Sequence, residues 1–196
     1  FSIDNNYMLQ SGYPTKMIAL EGFKTVNIEG CTFSNTNQKL EIENRGNAIS
    51  ATNAGMKINK LCIEASPLGD CITYSPMVFN GWHYAIHTNN CNPNHVIEIV
   101  NSSFYSNLRG IYLSSISLPK IQRNTFKTIK RNQFEPPSSG LYLNNCTGYS
   151  VQENTFDGNF GGTVNTYETG IVINNSGTAP NEIYNNTFTK LQNGIT

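Results

Sequence analysis

The apolar residues of this chain fall into columns when the sequence is laid on itself. An N-T-F phrase recurs at intervals of about 30 residues and ends at Phe126, Phe156 and Phe188, with looser copies ending at Phe33 and Phe104. Five residues before each Phe stands an aliphatic β-former, and this second column consists of Ile28, Ile99, Ile121, Val151 and Ile183. Two weaker members extend it: Ile58, with Ile63 at the Phe position, and Ile3, with Met8. Like residues at fixed repeat positions predict strands stacked in register, whereas a sandwich would need alternating hairpins.

A second phrase follows downstream in most repeats, a small residue and then an aliphatic one. Its copies are Ala48-Ile49, Ala85-Ile86, Gly110-Ile111, Gly140-Leu141, Gly170-Ile171 and Gly194-Ile195. Two positions later come Ala51, Thr88, Leu113, Leu143 and Ile173, which is the period of a strand. One repeat therefore predicts a strand, a bend at Asn, a short strand through Phe, a polar turn and a third strand. The Asn of each bend is expected to form a ladder of side-chain amides, at Asn124, Asn154 and Asn186.

The repeat phrases resemble those of right-handed parallel β-helix proteins of the pectate-lyase-like superfamily. The wording YNNTFTKLQNGI, which ends at Ile195, resembles secreted and surface proteins of Bacteroidota. The resemblance implies an all-β, right-handed parallel β-helix solenoid of about seven coils. It says little about activity, because that superfamily contains lyases, glycosidases, adhesins and stalks.

The domain organisation follows from the spacing of the repeats. Residues 1–196 are expected to form a single β-helix segment, and the long interval from Ile58 to Ile99 predicts an insertion around 64–82. Because the sequence opens with Phe1 and stops within a repeat at Thr196, we expect the natural polypeptide to continue into further coils or domains. Sustained helical periodicity is not present.

Composition narrows the possible partners. Lys plus Arg equals 13 and Asp plus Glu equals 13, and only 13% of the residues are charged. This balance argues against nucleic acid, which selects a basic face. No apolar run reaches the ~20 residues that a membrane helix needs, so we expect no membrane insertion in this segment. A secreted or cell-surface location is expected, with glycans or other surface proteins as partners.

The five cysteines are interpreted by column. Cys91 and Cys146 share an inward column, but a whole coil lies between them. The resulting separation of about 9 to 10 Å is beyond disulfide reach. Free, mostly buried thiols are the first expectation for all five. A bridge between Cys62 and Cys71 that staples the insertion stays open as the alternative.

Catalytic motifs of the resembled enzymes are not found. Asp4, Asp70 and Asp157 fall in different coils, and the phrases of polygalacturonase-type hydrolases do not occur. The prediction is therefore no metal, no cofactor and no catalytic residue.

One surface hypothesis remains. The position after each second-phrase aliphatic residue points outward and places His87, Tyr112 and Tyr142 on successive coils, where aromatic rings can stack on sugars. Trp82, His83 and Tyr84 are candidates for a second patch, with Trp82 alternatively a plug that seals the insertion.

Two functions remain open. The favoured one is a non-catalytic structural or adhesive β-helix segment that binds carbohydrate. The alternative is a polysaccharide lyase or glycoside hydrolase of the β-helix type, with its active groove partly outside this chain.

Overall fold

The chain is described by a computed structural model that covers residues 2–4, 16–36, 40–131, 135–158, 167–177 and 179–196. Almost all of its regular structure is β. The strands form three parallel sheets, and the chain passes through one strand of each sheet before it starts the next coil. This order makes the molecule a parallel β-helix, as the sequence predicts.

The strand bounds are as follows. Sheet A contains Ser2–Asp4, Thr32–Ser34, Met77–Asn80, Ser102–Asn107, Thr125–Thr128, Thr155–Asp157 and Thr187–Thr189. Sheet B contains Lys16–Glu21, Asn47–Thr52, Tyr84–Asn89, Arg109–Ser114, Ser138–Asn144, Glu168–Asn174 and Asn193–Ile195. Sheet C contains Val26–Glu29, Met56–Asn59, Ile97–Val100, Lys120–Gln122, Ser150–Gln152 and Glu182–Tyr184. Outside the three sheets lie the strands Leu61–Ala65 and Cys71–Ser75 and one turn of 3₁₀ helix, Ile42–Asn44.

The core is built from columns of identical or similar side chains. In sheet A six rings stack along the rod, with neighbouring centroids 4.7 to 5.1 Å apart: Phe33, Phe79, Phe104, Phe126, Phe156 and Phe188. The aliphatic columns predicted for the other two sheets are confirmed by the strand register. Each fully buried Phe or Ile stabilises the fold by roughly 1.5–3 kcal/mol, and a coil gains this only against its neighbours.

Two column assignments are wrong. Phe79, and not Ile63, stands between Phe33 and Phe104, because Ile63 lies in a projecting strand and is 64% exposed. Ile3 pairs with Phe33 in sheet A instead of joining the aliphatic column of sheet C. At Ile63 the fixed five-residue offset fails because a hairpin is inserted between the two strands of that coil. Met8 lies outside the described residues.

The insertion is an antiparallel hairpin that leaves the rod between sheets C and A. It occupies residues 60–76 instead of 64–82, because Met77–Asn80 already belongs to sheet A. A disulfide joins Cys62 to Cys71, so the expectation of free thiols is wrong for this pair and the alternative is correct. Cys31, Cys91 and Cys146 are free. The bridge suits a projection that has little core of its own, since most of the hairpin side chains are exposed.

The predicted amide ladder is present at the bend from sheet C to sheet A. The carboxamide of Asn154 accepts hydrogen bonds from the backbone N–H of Asn124 at 2.9 Å and from its side chain at 3.1 Å, and it donates to the Ile121 carbonyl at 2.9 Å. Asn186 repeats the arrangement one coil on. The ladder thus satisfies backbone groups that the bend removes from the sheets. In the described part of the chain no helix is long and apolar enough to cross a membrane.

Candidate functional site

Sheet B presents two outward columns that run along the rod. One contains Lys16, Asn47, Tyr84, Arg109, Ser139, Thr169 and Asn193. The other contains Ala19, Ser50, His87, Tyr112, Tyr142 and Val172. The columns place polar, aromatic and cationic side chains side by side on one flat face, because in-register parallel pairing repeats the same direction at every coil.

The predicted outward neighbours are in contact. The ring of Tyr112 lies 5.1 Å from that of His87 and 5.1 Å from that of Tyr142. Tyr84 joins them from the other column, with its ring 5.0 Å from His87 and 5.4 Å from Tyr112, and His83 stacks on Tyr84 at 4.1 Å. These five residues, His83, Tyr84, His87, Tyr112 and Tyr142, form what we call the aromatic cluster.

Arg109 lies at the centre of this face, although its sequence neighbourhood suggests only a solvated cation. Its guanidinium carbon is 4.8 Å from the ring centre of Tyr142 and 5.5 Å from that of Tyr112. It also donates a hydrogen bond of 3.0 Å to the Tyr84 hydroxyl. None of the five ion pairs among the described residues involves Arg109. The strand register could have identified Arg109, because it pairs with Tyr84 on the preceding coil and therefore lies beside the column of Tyr112 and Tyr142.

The order of the rings along the column decides which of them stands at its end. Tyr112 has His87 on one side and Tyr142 on the other. Tyr142 is the last aromatic residue of its column, and the next position is Val172. The predicted platform of His87, Tyr112 and Tyr142 therefore ends at Tyr142.

A cavity of about 380 Å³ lies at that end of the cluster. Its described lining includes Arg109, Tyr142, Tyr167, Val172, Gln192 and Asn193, together with Ser139 and Thr169. This volume lies in the range of 300–1,000 Å³ that is usual for small-molecule sites, and the lining combines aromatic surface with several convergent polar groups.

The Ser139 side chain is one of those polar groups. It is 3% exposed, and its hydroxyl has no hydrogen-bond partner among the described residues. The backbone N–H of the same residue donates to the Leu108 carbonyl at 2.9 Å, which fixes the position of the residue. A buried hydroxyl without a partner costs about 1–3 kcal/mol.

Both histidines of the cluster have a lowered pKa. For His87 the main cause is burial, and the positive charges of Lys16 and Arg109 add to it. For His83 burial is again the main cause, followed by Arg109, with Glu43 opposing. Both imidazoles are therefore neutral at pH 7, when an unperturbed histidine is already mostly neutral.

The predicted surface role of Trp82 is wrong. Its side chain is fully buried, and its indole N–H donates to the Phe33 carbonyl at 3.2 Å. The Asn107 side chain in turn accepts a hydrogen bond from the Trp82 backbone N–H. Trp82 is therefore buried, as the alternative of a plug predicted, but both of its hydrogen-bond partners lie in strands of sheet A and not in the inserted hairpin that the plug was expected to seal.

Charged chemistry at the site is limited. Within the described ranges no three His, Cys, Asp or Glu residues are grouped so that they could hold a metal ion. None of the described residues that line the cavity is Asp or Glu, so the pair of carboxylates of a glycoside hydrolase is not found among them.

Comparison with known proteins gives one result. The family model described as right handed beta helix region matches residues 1–196. Searches of curated proteins and of solved structures found no match.

Proposed function

We propose that this chain, which belongs to the right-handed β-helix family, is a non-catalytic segment of a secreted or cell-surface protein and binds carbohydrate on sheet B. The observation that carries the proposal is the cavity at the end of the aromatic cluster, where Tyr142 and Tyr167 stand among polar side chains. Sugars are bound in this way, with a ring face against an aromatic side chain and hydroxyl groups paired to polar ones. We also propose a relationship to pectate-lyase-like proteins and to surface proteins of Bacteroidota, which is supported by the sequence of the repeats alone.

The location is supported by the disulfide of the hairpin. Bridges such as Cys62–Cys71 form and persist in oxidising surroundings and are rare where glutathione keeps thiols reduced. The hairpin also carries exposed apolar side chains, among them Ile63 and Leu68. An adhesive contact with another surface protein at this projection is the second part of the proposed role.

The test is a binding screen on an array of immobilised polysaccharides. We expect wild-type protein to bind at least one glycan and Tyr142→Ala to raise its Kd about tenfold or more, because the ring of the aromatic cluster that lines the cavity is removed. Tyr105→Ala is the matched control, since Tyr105 is a partly exposed tyrosine on sheet A. Wild-type protein that binds no glycan, or equal losses in the two variants, would contradict the proposal.

A lyase is the alternative function, and one observation favours it. His87 is neutral at pH 7 and stands in the aromatic cluster with Arg109, so a base and a cation share one face. A lyase needs such groups to remove a proton beside a uronate carboxylate. Incubation with uronic-acid polysaccharides, followed by ultraviolet absorbance of unsaturated products, tests this. Product that is lost in His87→Gln would establish the enzyme and overturn the non-catalytic proposal.

A further inference from the structure

We propose that the cavity is selective for an anionic sugar residue, whose carboxylate or sulfate group pairs with Arg109. This inference rests on the proposed carbohydrate binding and adds the class of glycan. Arg109 lines the cavity, and its guanidinium lies against the Tyr142 ring.

The first argument is that Arg109 has no carboxylate partner among the described residues. Two other arginines, Arg123 and Arg131, pair with glutamates, whereas no described carboxylate lies within ion-pair distance of Arg109. The Tyr84 hydroxyl accepts a hydrogen bond from only one nitrogen of the guanidinium. Stacking over tyrosine rings fixes the plane of the group and leaves other N–H donors for a ligand. A guanidinium held in this way binds carboxylate or sulfate oxygens in a two-point geometry.

The second argument is the sign of the charge in the cavity wall. Among the described lining residues Arg109 carries the one charged side chain, and none is acidic. A neutral sugar in the cavity would displace water from the guanidinium without replacing its charge partner. Burial of an unpaired charge is strongly unfavourable, so the site disfavours neutral ligands and favours acidic ones.

The experiment compares matched acidic and neutral glycans on wild-type protein. The acidic members are alginate, polygalacturonate, hyaluronan and a carrageenan, and the neutral members are the carboxyl-reduced forms of the first three and the desulfated carrageenan. In the pairs that bind, we expect the acidic member to bind about tenfold or more tightly, with affinity that falls as salt is added. The carboxylate and sulfate pairs distinguish the two sources of negative charge.

A variant assigns the selectivity to the cavity. Arg109→Gln should remove most of the preference for the acidic member, by weakening the binding of the acidic member about tenfold or more. The control is Arg123→Gln, which removes an exposed arginine at the bend between sheets C and A. The midpoint of unfolding shows whether each variant is folded, and the glycan pairs decide the question on wild-type protein alone if Arg109→Gln does not fold.

The outcomes separate the two proposals. Equal binding of acidic and neutral members, or a preference that Arg109→Gln leaves intact, overturns the anion selectivity while carbohydrate binding stands. Binding to no member of any pair overturns the proposed function and the selectivity with it.

Discussion

The amide ladder gives the sharpest stability prediction, through the substitution Asn154→Ala. The Asn154 carboxamide is 1% exposed, and it is the hydrogen-bond partner of the Asn124 backbone N–H and of the Ile121 carbonyl. Its removal leaves these two buried backbone groups without that partner. Each such group costs about 1–3 kcal/mol, so the free energy of unfolding should fall by about 2–6 kcal/mol.

The control is the same substitution at an exposed ladder. Asn174 donates one side-chain hydrogen bond, 3.0 Å long, to Asn144 at the surface of sheet B. Water can replace that bond, so Asn174→Ala should change stability by about 0.5 kcal/mol or less. The two substitutions delete identical atoms and differ in burial.

The assay is urea denaturation followed by tryptophan fluorescence. Trp82 is the single tryptophan of the chain and is fully buried, so its emission reports exposure of the core. A loss for Asn154→Ala that is no larger than the loss for Asn174→Ala would refute the reasoning, because it would mean that the ladder does not satisfy backbone groups that otherwise remain unpaired.

Two further predictions concern pH and close packing. Burial and Arg109 lower the pKa of His83 and His87, so the unfolded chain binds more protons than the folded one near pH 6. The free energy of unfolding should therefore decline as the pH falls through the ordinary histidine pKa of about 6.5, and the loss is complete below the folded pKa. Denaturation at stepwise lower pH checks this, and a variant with both histidines changed to Gln should lose that part of the pH dependence. Gly140→Ala should destabilise by about 1–3 kcal/mol, because the added Cβ would lie 2.6 Å from the Phe156 ring, whereas Gly194→Ala, with its nearest atom at 3.5 Å, should differ little from wild type in the same urea assay.

The regular part of the fold was predictable because each coil repeats the same burial. A buried position between two coils accepts only an apolar side chain that stacks on its own kind, so Phe126 and Phe156 mark the register in the sequence itself. The assignment failed where a local insertion broke the count, and Phe79 could be placed only by its pairing with Phe33 and Phe104.

The candidate site was predictable in part. Alternation along a strand places His87, Tyr112 and Tyr142 outward, and in-register pairing confirms that they are neighbours. The contribution of Arg109 was not predicted, because a single arginine at a strand start is usually a solvated charge and only its register opposite Tyr84 distinguishes it. Its contact with three tyrosines depends on two columns that lie side by side in space.

The sequence by itself therefore determined the solenoid, its columns and its bends, because those depend on short-range periodicity and on the burial of like residues. Only the tertiary structure decided which aromatic rings line the cavity, that Trp82 is buried, and that Cys62 reaches Cys71. Access and pairing are set by distances between side chains that belong to different strands and columns, and a repeat pattern carries no record of those distances.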